Sequence, residues 1–395
     1  MISVADAEAR ILKGATPTPS EDVALADAHA RILSAPLIAR RTHPPHDVSA
    51  MDGYALRQSD ATAVGTTLPI ALRIQAGETP PPLPPGSAAR IFTGAALPEG
   101  ADTIVIQEDT SATDGHVTLT IAPPRGQHVR RAGYDLTEGA TLLPSGTQLG
   151  PAQLALAAAA GHVTLAVHRR PRVAFLATGD ELVPPGVPPQ GAQIIASTGV
   201  ALAALVQSWG GSFIDLGIAP DNEQAIRDAA RRGLDADILV TQGGASVGDA
   251  DLVKPALGPL GLTVDFWKIA MRPGKPLMVG AIGATKVLGL PGNPVSALVC
   301  ATLFLQPLIR ALCGAGWRGH PVATARLAAP LRANDQRQDY LRARLNADGT
   351  IEAFPLQDSG NLSTYARADA LILRAPHAPA AAAGDTVSML RLGPS

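Results

Sequence analysis

Aromatic residues are scarce, at 3% of the 395-residue chain, so the base-stacking surfaces of single-stranded nucleic-acid binders are not expected. An excess of charge is missing too: 32 Lys and Arg stand against 34 Asp and Glu, a formal net charge of −2. That balance provides no basic field for nucleic acid or anionic lipid. Only two cysteines occur, Cys300 and Cys313, both on one predicted helix. They read as buried thiols rather than as a disulfide or a metal site. Residues 1–20 lack a basic segment followed by an apolar one, so no signal peptide is expected. The most apolar stretch, residues 154–167, is too short to span a bilayer. A cytoplasmic protein with no nucleic-acid and no membrane partner is the expectation. Two nucleotide signatures are also absent. No GxGxxG follows the first strand of the α/β pattern described below, and no GxxxxGK[ST] occurs, which argues against a dehydrogenase and a P-loop nucleotidase.

Glycine and proline are plentiful instead, with 39 and 35 residues, as many tight loops require. The chain is too long for one core, and two to four domains are the natural division. Ser3 before Val4-Ala5-Asp6 and Ser20 before Glu21-Asp22-Val23 are helix-start signals. From residue 43 to 139 short apolar runs (68–74, 103–106, 117–121) alternate with turn residues, which predicts a small β-rich domain. Residues 150–161 look helical again, so the β-rich part is read as an insertion into a helical unit. Between residues 171 and 316 strand-like runs at 172–177, 213–218 and 237–241 alternate with predicted helices at 199–209, 222–233 and 249–257. Further runs at 277–279 and 287–290 lead into a last helix ending near Leu312. This alternation predicts a doubly wound, mostly parallel α/β domain. Short β-like runs after His320 predict a small C-terminal β domain. The resulting division is a helical elongated unit (1–41 and 140–170), an inserted β-rich domain (42–139), the α/β domain (171–318) and a C-terminal β domain (319–395).

The richest segment is Gly289-Leu290-Pro291-Gly292-Asn293-Pro294-Val295-Ser296-Ala297. It reads strand, tight loop, helix. Two prolines and two glycines stiffen the loop and let its backbone approach a ligand. Pro294 and Ser296 suit a helix start, where free N–H groups and the helix dipole favour an anion. A purely structural turn is the alternative. Other polar loops follow strands as well: Thr178-Gly179-Asp180-Glu181-Leu182, Pro220-Asp221-Asn222, and the stretch from Gln242-Gly243-Gly244 to Asp249-Ala250-Asp251. Met271-Arg272-Pro273-Gly274-Lys275-Pro276 precedes a strand, with Lys268 just upstream. Open α/β sheets bind ligands beyond the carboxyl ends of their strands, so these groups are expected on one rim. There Glu181, Asp221 and Asp251 would face Lys268, Arg272 and Lys275. Such a set suits a magnesium-bridged phosphate, with hard oxygen ligands for Mg2+ and cations for phosphoryl oxygens. Taken singly, Glu181 and Asp221 could be helix caps, Lys268 and Arg272 solvated charges, and the Gly243-Gly244 pair turn geometry. His43 and His46 have a metal-compatible spacing but no third ligand.

Taken together, these words resemble the molybdopterin molybdenumtransferase family, the MoeA proteins and the gephyrin E domain. The resemblance runs through Asp47-Val48-Ser49-Ala50-Met51-Asp52-Gly53-Tyr54-Ala55, Ile91-Phe92-Thr93-Gly94-Ala95, Thr178 to Leu182, Gly243 to Asp249, Pro273 to Pro276 and Gly289 to Ser296, in the family's order. It implies the four units above, with a MogA-like α/β domain and a β-barrel-like C-terminal domain, in an elongated homodimer whose active site lies between subunits. It implies a reaction in which adenylylated molybdopterin and molybdate, with Mg2+, give molybdenum cofactor and AMP. It assigns Asp52, Asp135 and Asp251 to catalysis and Glu181, Asp221 and Asp251 to metal. Thr93, Ser246, Lys268, Arg272, Lys275, Pro291, Pro294 and Ser296 match substrate-binding positions, and Arg337, Arg342 and Ser363 match positions near the proposed molybdate site. Molybdopterin adenylyltransferase and recipient molybdoenzyme apoproteins are the further partners it suggests.

The chain departs from the family where an aromatic–Asp/Asn–Ser–Asn string is common, having Ile195-Ala196-Ser197-Thr198. Arg272 stands where Lys is frequent and Ala245 where Val is usual. Two alternatives remain beside the transferase. The adenylyltransferase reading is opposed by the motif at Asp52, which lies outside the α/β part. A non-catalytic molybdopterin-binding scaffold is opposed by Asp52, Asp135 and Asp251 and favoured by the changes at Ala196 and Thr198.

Overall fold

The structure, a computed structural model, describes residues 1–243 and 252–393. The chain divides into two compact units, one made of Met1–Glu21, Ala30–Ser34 and Val167–Ser395, the other of Asp22–His29 and Ala35–Ala166.

The first unit is built on an α/β sheet whose strands are β1 (Arg172–Thr178), β2 (Ser212–Ala219), β3 (Ile238–Gln242), β4 (Thr263–Phe266), β5 (Met278–Ile282) and β6 (Thr285–Leu290), in the order β2-β1-β3-β6-β5-β4. The pairs β1–β2, β1–β3 and β3–β6 are parallel. Buried strands of this kind are near-continuous apolar runs, and β1 is buried at every position after Arg172. The helices Thr198–Ser208 and Glu223–Arg231 supply the crossovers the alternation predicts. The difference lies at the far edge. β5 and β6 are antiparallel partners separated only by Gly283-Ala284, and β4 runs antiparallel to β5. A two-residue link cannot hold a crossover helix, so this pair is a hairpin.

The run from Pro294 is one apolar helix, Pro294–Cys300, a π-helical turn at Ala301–Leu305, then Gln306–Leu312. By length and apolarity alone it could cross a bilayer, yet it is 78% buried and forms the spine of the main core with Phe304, Leu305 and Leu308. Cys300 and Cys313 are free and buried, and burial pushes the Cys313 thiol up to about 11. The C-terminal strands close on themselves. Gln338–Leu345, Thr350–Ala353, Val322–Leu327, Thr386–Arg391 and Ala370–Arg374 pair in sequence, and Gln338–Leu345 also pairs with Ala370–Arg374. This is the barrel-like arrangement implied above.

Ser3 caps Val4–Leu12 as expected, its hydroxyl accepting from the Asp6 amide at 3.0 Å. Ser20 does not start a helix: Ser20–Ala24 is a strand. Its Glu21 carboxylate takes a hydrogen bond from Arg31, whose guanidinium also donates to the His168 carbonyl at 2.8 Å. Long-range pairing outweighs a weak local signal here, because a five-residue segment cannot nucleate a helix alone.

The second unit centres on a six-stranded sheet, ordered Thr103–Ile106, Gly53–Leu56, Ala88–Ile91, Thr67–Ile74, His116–Leu119 and Thr110–Thr113. The last two strands form a hairpin around Asp114-Gly115, both with positive φ (51° and 75°). Asp-Gly is the strongest short hairpin signal, and the sequence reading passed over the strand before it.

Candidate active site

The carboxyl ends of β2, β1, β3 and β6 lie side by side, so the loops after them share one rim. Hydrogen bonds tie these loops together. The Asp221 amide donates to Asp180 Oδ1 at 3.0 Å, joining the loops after β2 and β1. The Thr178 hydroxyl donates to the Gln242 carbonyl at 3.3 Å. Gln242 Nε2 donates to Thr198 Oγ1 and to the Gly292 carbonyl, both at 2.9 Å. Gly243 must be glycine: its φ is 93°, and an added Cβ would sit 2.4 Å from the Thr178 carbonyl oxygen. The Met278↔Gly289 register places the start of β5 beside the end of β6, so residues 271–276 reach the same rim.

Glu181, Asp221, Lys268 and Lys275 are exposed on this unit. Lys275 sits in a braced loop, its carbonyl accepting from the amides of Ile269 at 3.1 Å and Leu277 at 3.2 Å. Beneath it, a Cβ on Gly274 would lie 2.4 Å from Cys300 Sγ, so the buried thiol supports this loop by contact. Ser246 and Asp251 lie outside the described residues. Among the described residues no group of three His, Cys, Asp or Glu is placed to hold a metal. Glu181 and Asp221 nonetheless fit Mg2+ chemically, since that ion takes one or two carboxylates and completes its shell with water and phosphate oxygens.

The cradle expected at residues 291–296 is partly occupied by the protein itself. Pro294 is the first helical residue and Asn293 the N-cap, but the Asn293 side chain donates to Ser359 Oγ at 2.8 Å instead of capping. The Val295 amide donates to the Ser359 carbonyl at 3.1 Å. Ser296 is buried at 5% exposure, and Pro291 is buried as well. Ser359 thus links this loop to the C-terminal part, a partner that no local signal foretold.

Arg272 is also engaged. Its Nε donates to Asp339 Oδ1 at 2.9 Å, its Nη2 to Asp339 Oδ2, and its Nη1 lies 3.5 Å from Asp335. The hydrogen bonds to Asp339 raise its pKa. Arg337 meets the same Asp335 at 3.0 Å. Arg342 is 1% exposed. Its Nη2 donates to the Asp358 carbonyl at 3.1 Å, its Nε has no partner, and no carboxylate pairs with it among the described residues. Burial holds its pKa below the usual guanidinium value. Ser363 donates to Asn361 Oδ1 at 2.9 Å, where Asn361 caps a short helix.

Burying a guanidinium is costly to the fold even where a carboxylate, here Asp358, acts on it from nearby. Arg342→Met should therefore leave the melting temperature unchanged or raise it. A melting temperature that falls steeply would make Arg342 a structural residue.

The second unit carries Asp52, Thr93 and Asp135. Asp52 Oδ1 accepts from both the Thr93 amide and its hydroxyl, each at 2.8 Å. These bonds, and then the charge of Arg90, hold the Asp52 carboxyl below its ordinary range. Asp135 lines a cavity of about 570 Å³ with His43, His46, Glu78, Arg130 and Tyr134. The segment before it is anchored by Asp47, which receives Arg131 Nη1 at 2.5 Å and the Ala132 amide at 2.9 Å.

Three family models match the chain: "MoeA N-terminal region (domain I and II)" over residues 2–161, "Probable molybdopterin binding domain" over 174–311, and "MoeA C-terminal region (domain IV)" over 324–392. A protein of Nostoc sp. named molybdopterin molybdenumtransferase is 40% identical, over 89% of this chain and 84% of its own. One of the same name from Haemophilus influenzae is 37% identical over 94% of each. A crystal structure of a molybdopterin biosynthesis moea protein from Pyrococcus horikosii superposes with a TM-score of 0.88 at 29% identity, covering 100% of both chains.

Proposed function

The chain belongs to the molybdopterin molybdenumtransferase (MoeA) family, and on that footing we propose that it inserts molybdenum from molybdate into adenylylated molybdopterin with release of AMP. It is a transferase. The observation that carries the reading is the shared rim: the loops after β1, β2 and β6 and the segment 268–276, with Glu181, Asp221, Lys268 and Lys275 among their residues, lie at the carboxyl ends of the parallel strands. Exposed lysines and backbone there match a substrate bearing a pyrophosphate, and rigid loops present donors without reorganising. Lys275 and Lys268 bind and orient the phosphoryl oxygens, and the exposed part of the loop after β6, Gly292-Asn293, walls the ligand. Glu181 and Asp221, with Asp251, would hold Mg2+, which when bound supplies charge neutralisation on the pyrophosphate. Asp52, fixed by Thr93, and Asp135 contribute fixed negative charge and proton acceptors. Arg337, Arg342 and Ser363 serve molybdate.

A homodimer completes this proposal, with Asp52 and Asp135 of one subunit serving the rim of the other. So do the four-unit division set out above, a cytoplasmic location, and transfer from an adenylyltransferase to apoproteins of molybdoenzymes. Incubating the protein with adenylylated molybdopterin, Mg2+ and molybdate should release AMP and yield molybdenum cofactor. Tight binding of the substrate with no AMP release would favour the scaffold reading instead.

Lys275 supplies a sharper test of the rim. Its loop is braced at the backbone, so Lys275→Met retains the stem and loses a charge-assisted hydrogen bond worth about 1.5–3 kcal/mol. Affinity for adenylylated molybdopterin, followed by calorimetry, should fall about tenfold or more, with a weaker salt dependence. Unchanged affinity and salt dependence would return Lys275 to the solvated surface.

A further inference from the structure

Resting on the reading of Asp52 as a participant in the transfer, we propose that Arg90 is a positioning residue that holds both halves of the Asp52–Thr93 pair. Arg90 lies in the strand Ala88–Ile91, in register with Tyr54 on one neighbouring strand and Arg73 on the other. Its Nη1 donates to the Gly53 carbonyl at 2.8 Å and its Nη2 to Gln107 Oε1 at 2.8 Å. The guanidinium carbon lies 4.7 Å from the Phe92 ring centroid and 5.2 Å from that of Tyr54.

Three of these contacts bear on the pair. Gly53 follows Asp52 in the chain, and Phe92 precedes Thr93. The Gln107 amide donates to the Asp52 carbonyl at 3.1 Å, so the Gln107 side chain gripped by Arg90 belongs to the residue that holds the Asp52 backbone. One planar cation therefore grips the peptide after the carboxylate and lies closest to the ring before its donor, with Arg73 over the same ring at 5.3 Å. Only a guanidinium can make a two-point fork and stack on a ring together; an ammonium has neither the plane nor the spacing. Thr93 uses only Oδ1 of Asp52, and the bracing by Arg90 sets where Oδ2 is presented.

The test compares Arg90→Lys, Gln107→Met, Asp52→Asn and the double variant Arg90→Lys/Asp52→Asn in AMP release from adenylylated molybdopterin. Arg90→Lys keeps the charge and loses the fork, so kcat should fall about tenfold with KM within about twofold, as for a slightly misplaced group. Gln107 is exposed, so Gln107→Met should fold normally and lower kcat in the same direction, and it carries the test if Arg90→Lys melts early. The double variant should be no slower than Asp52→Asn alone, because Arg90 acts through Asp52. A raised KM at unchanged kcat would make Arg90 a direct substrate contact, and losses that multiply in the double variant would make it independent of Asp52; either overturns the inference. Normal turnover by Asp52→Asn alone would remove the underlying reading of Asp52, an outcome separate from both.

Discussion

Asp52→Asn should lower AMP release about a hundredfold, the loss typical of removing one preorganised electrostatic group, while the protein melts as before. The substitution keeps Oδ1, so the Thr93 amide and hydroxyl can both still donate to it. What disappears is the negative charge and the second acceptor. The two Thr93 bonds hold the carboxyl below its ordinary value, so the native protein keeps Asp52 ionised at neutral and mildly acidic pH. The sign for stability follows from the same shift. A depressed folded value means that the pairing stabilises the fold above the unfolded carboxylate pKa and ceases to do so as pH falls through the folded value. Because Asp52 is only partly buried, that stability term is screened and small, and the effect of Asp52→Asn belongs in turnover. Turnover within twofold of the parent, measured by AMP release at saturating Mg2+, would take Asp52 out of the chemistry.

The α/β half of the chain was readable because its central strands are buried on both faces and the helix after β2 carries its cap. Arg172–Thr178 is one apolar run, and Asn222 accepts from the amides of Gln224 and Ala225 at the start of Glu223–Arg231. The missed elements are those whose reasons are non-local. Ser20–Ala24 carries a helix-start signature, yet Glu21 finds its partner in Arg31. Met271–Arg272, read as part of a loop, pairs in parallel with Gln338–Asp339 of the C-terminal sheet.

The site followed the same division. That loops would gather at the strand ends follows from topology, and their contents, Glu181, Asp221, Lys275 and Pro291, were visible as words. Their ties were not. Gln242 reads as an ordinary polar residue at a strand end, but its amide joins Thr198 to Gly292 across two loops. Thr198 is one of the chain's departures from the family string, and it is this hydroxyl that the Gln242 amide meets. Arg272 looked like a free rim cation. Its bidentate partner Asp339 is 67 residues away, beyond any reach of spacing arguments.

Gly53→Ala should damage the second unit more than any change of charge on it. In the sequence this glycine looks like part of an acidic turn, and its φ lies outside the left-handed region, so dihedral freedom is not its reason. Contact is. An added Cβ would stand 2.0 Å from the Val105 carbonyl oxygen and 2.9 Å from Ile106 Cα. The strand Gly53–Leu56 runs between Ala88–Ile91 and Thr103–Ile106 and pairs with both, so it cannot slide away from one neighbour without pressing on the other. Its side chains feed two clusters of this unit, Tyr54 and Leu56 packing with Val105, and Ala55 with Ile91 and Ile104. Overpacking against backbone on this scale costs about 3 kcal/mol, which lowers a melting midpoint by about 6–12 °C for a unit of this size. The first unit has its own core around Phe304 and Leu308, so calorimetry should show an early transition for the second unit with the other left in place. AMP release should vanish at the early transition, because Asp52 and Thr93 sit at the ends of the strands that come apart. A single transition at the parent temperature, with full activity, would mean that the strand has slack that this packing denies.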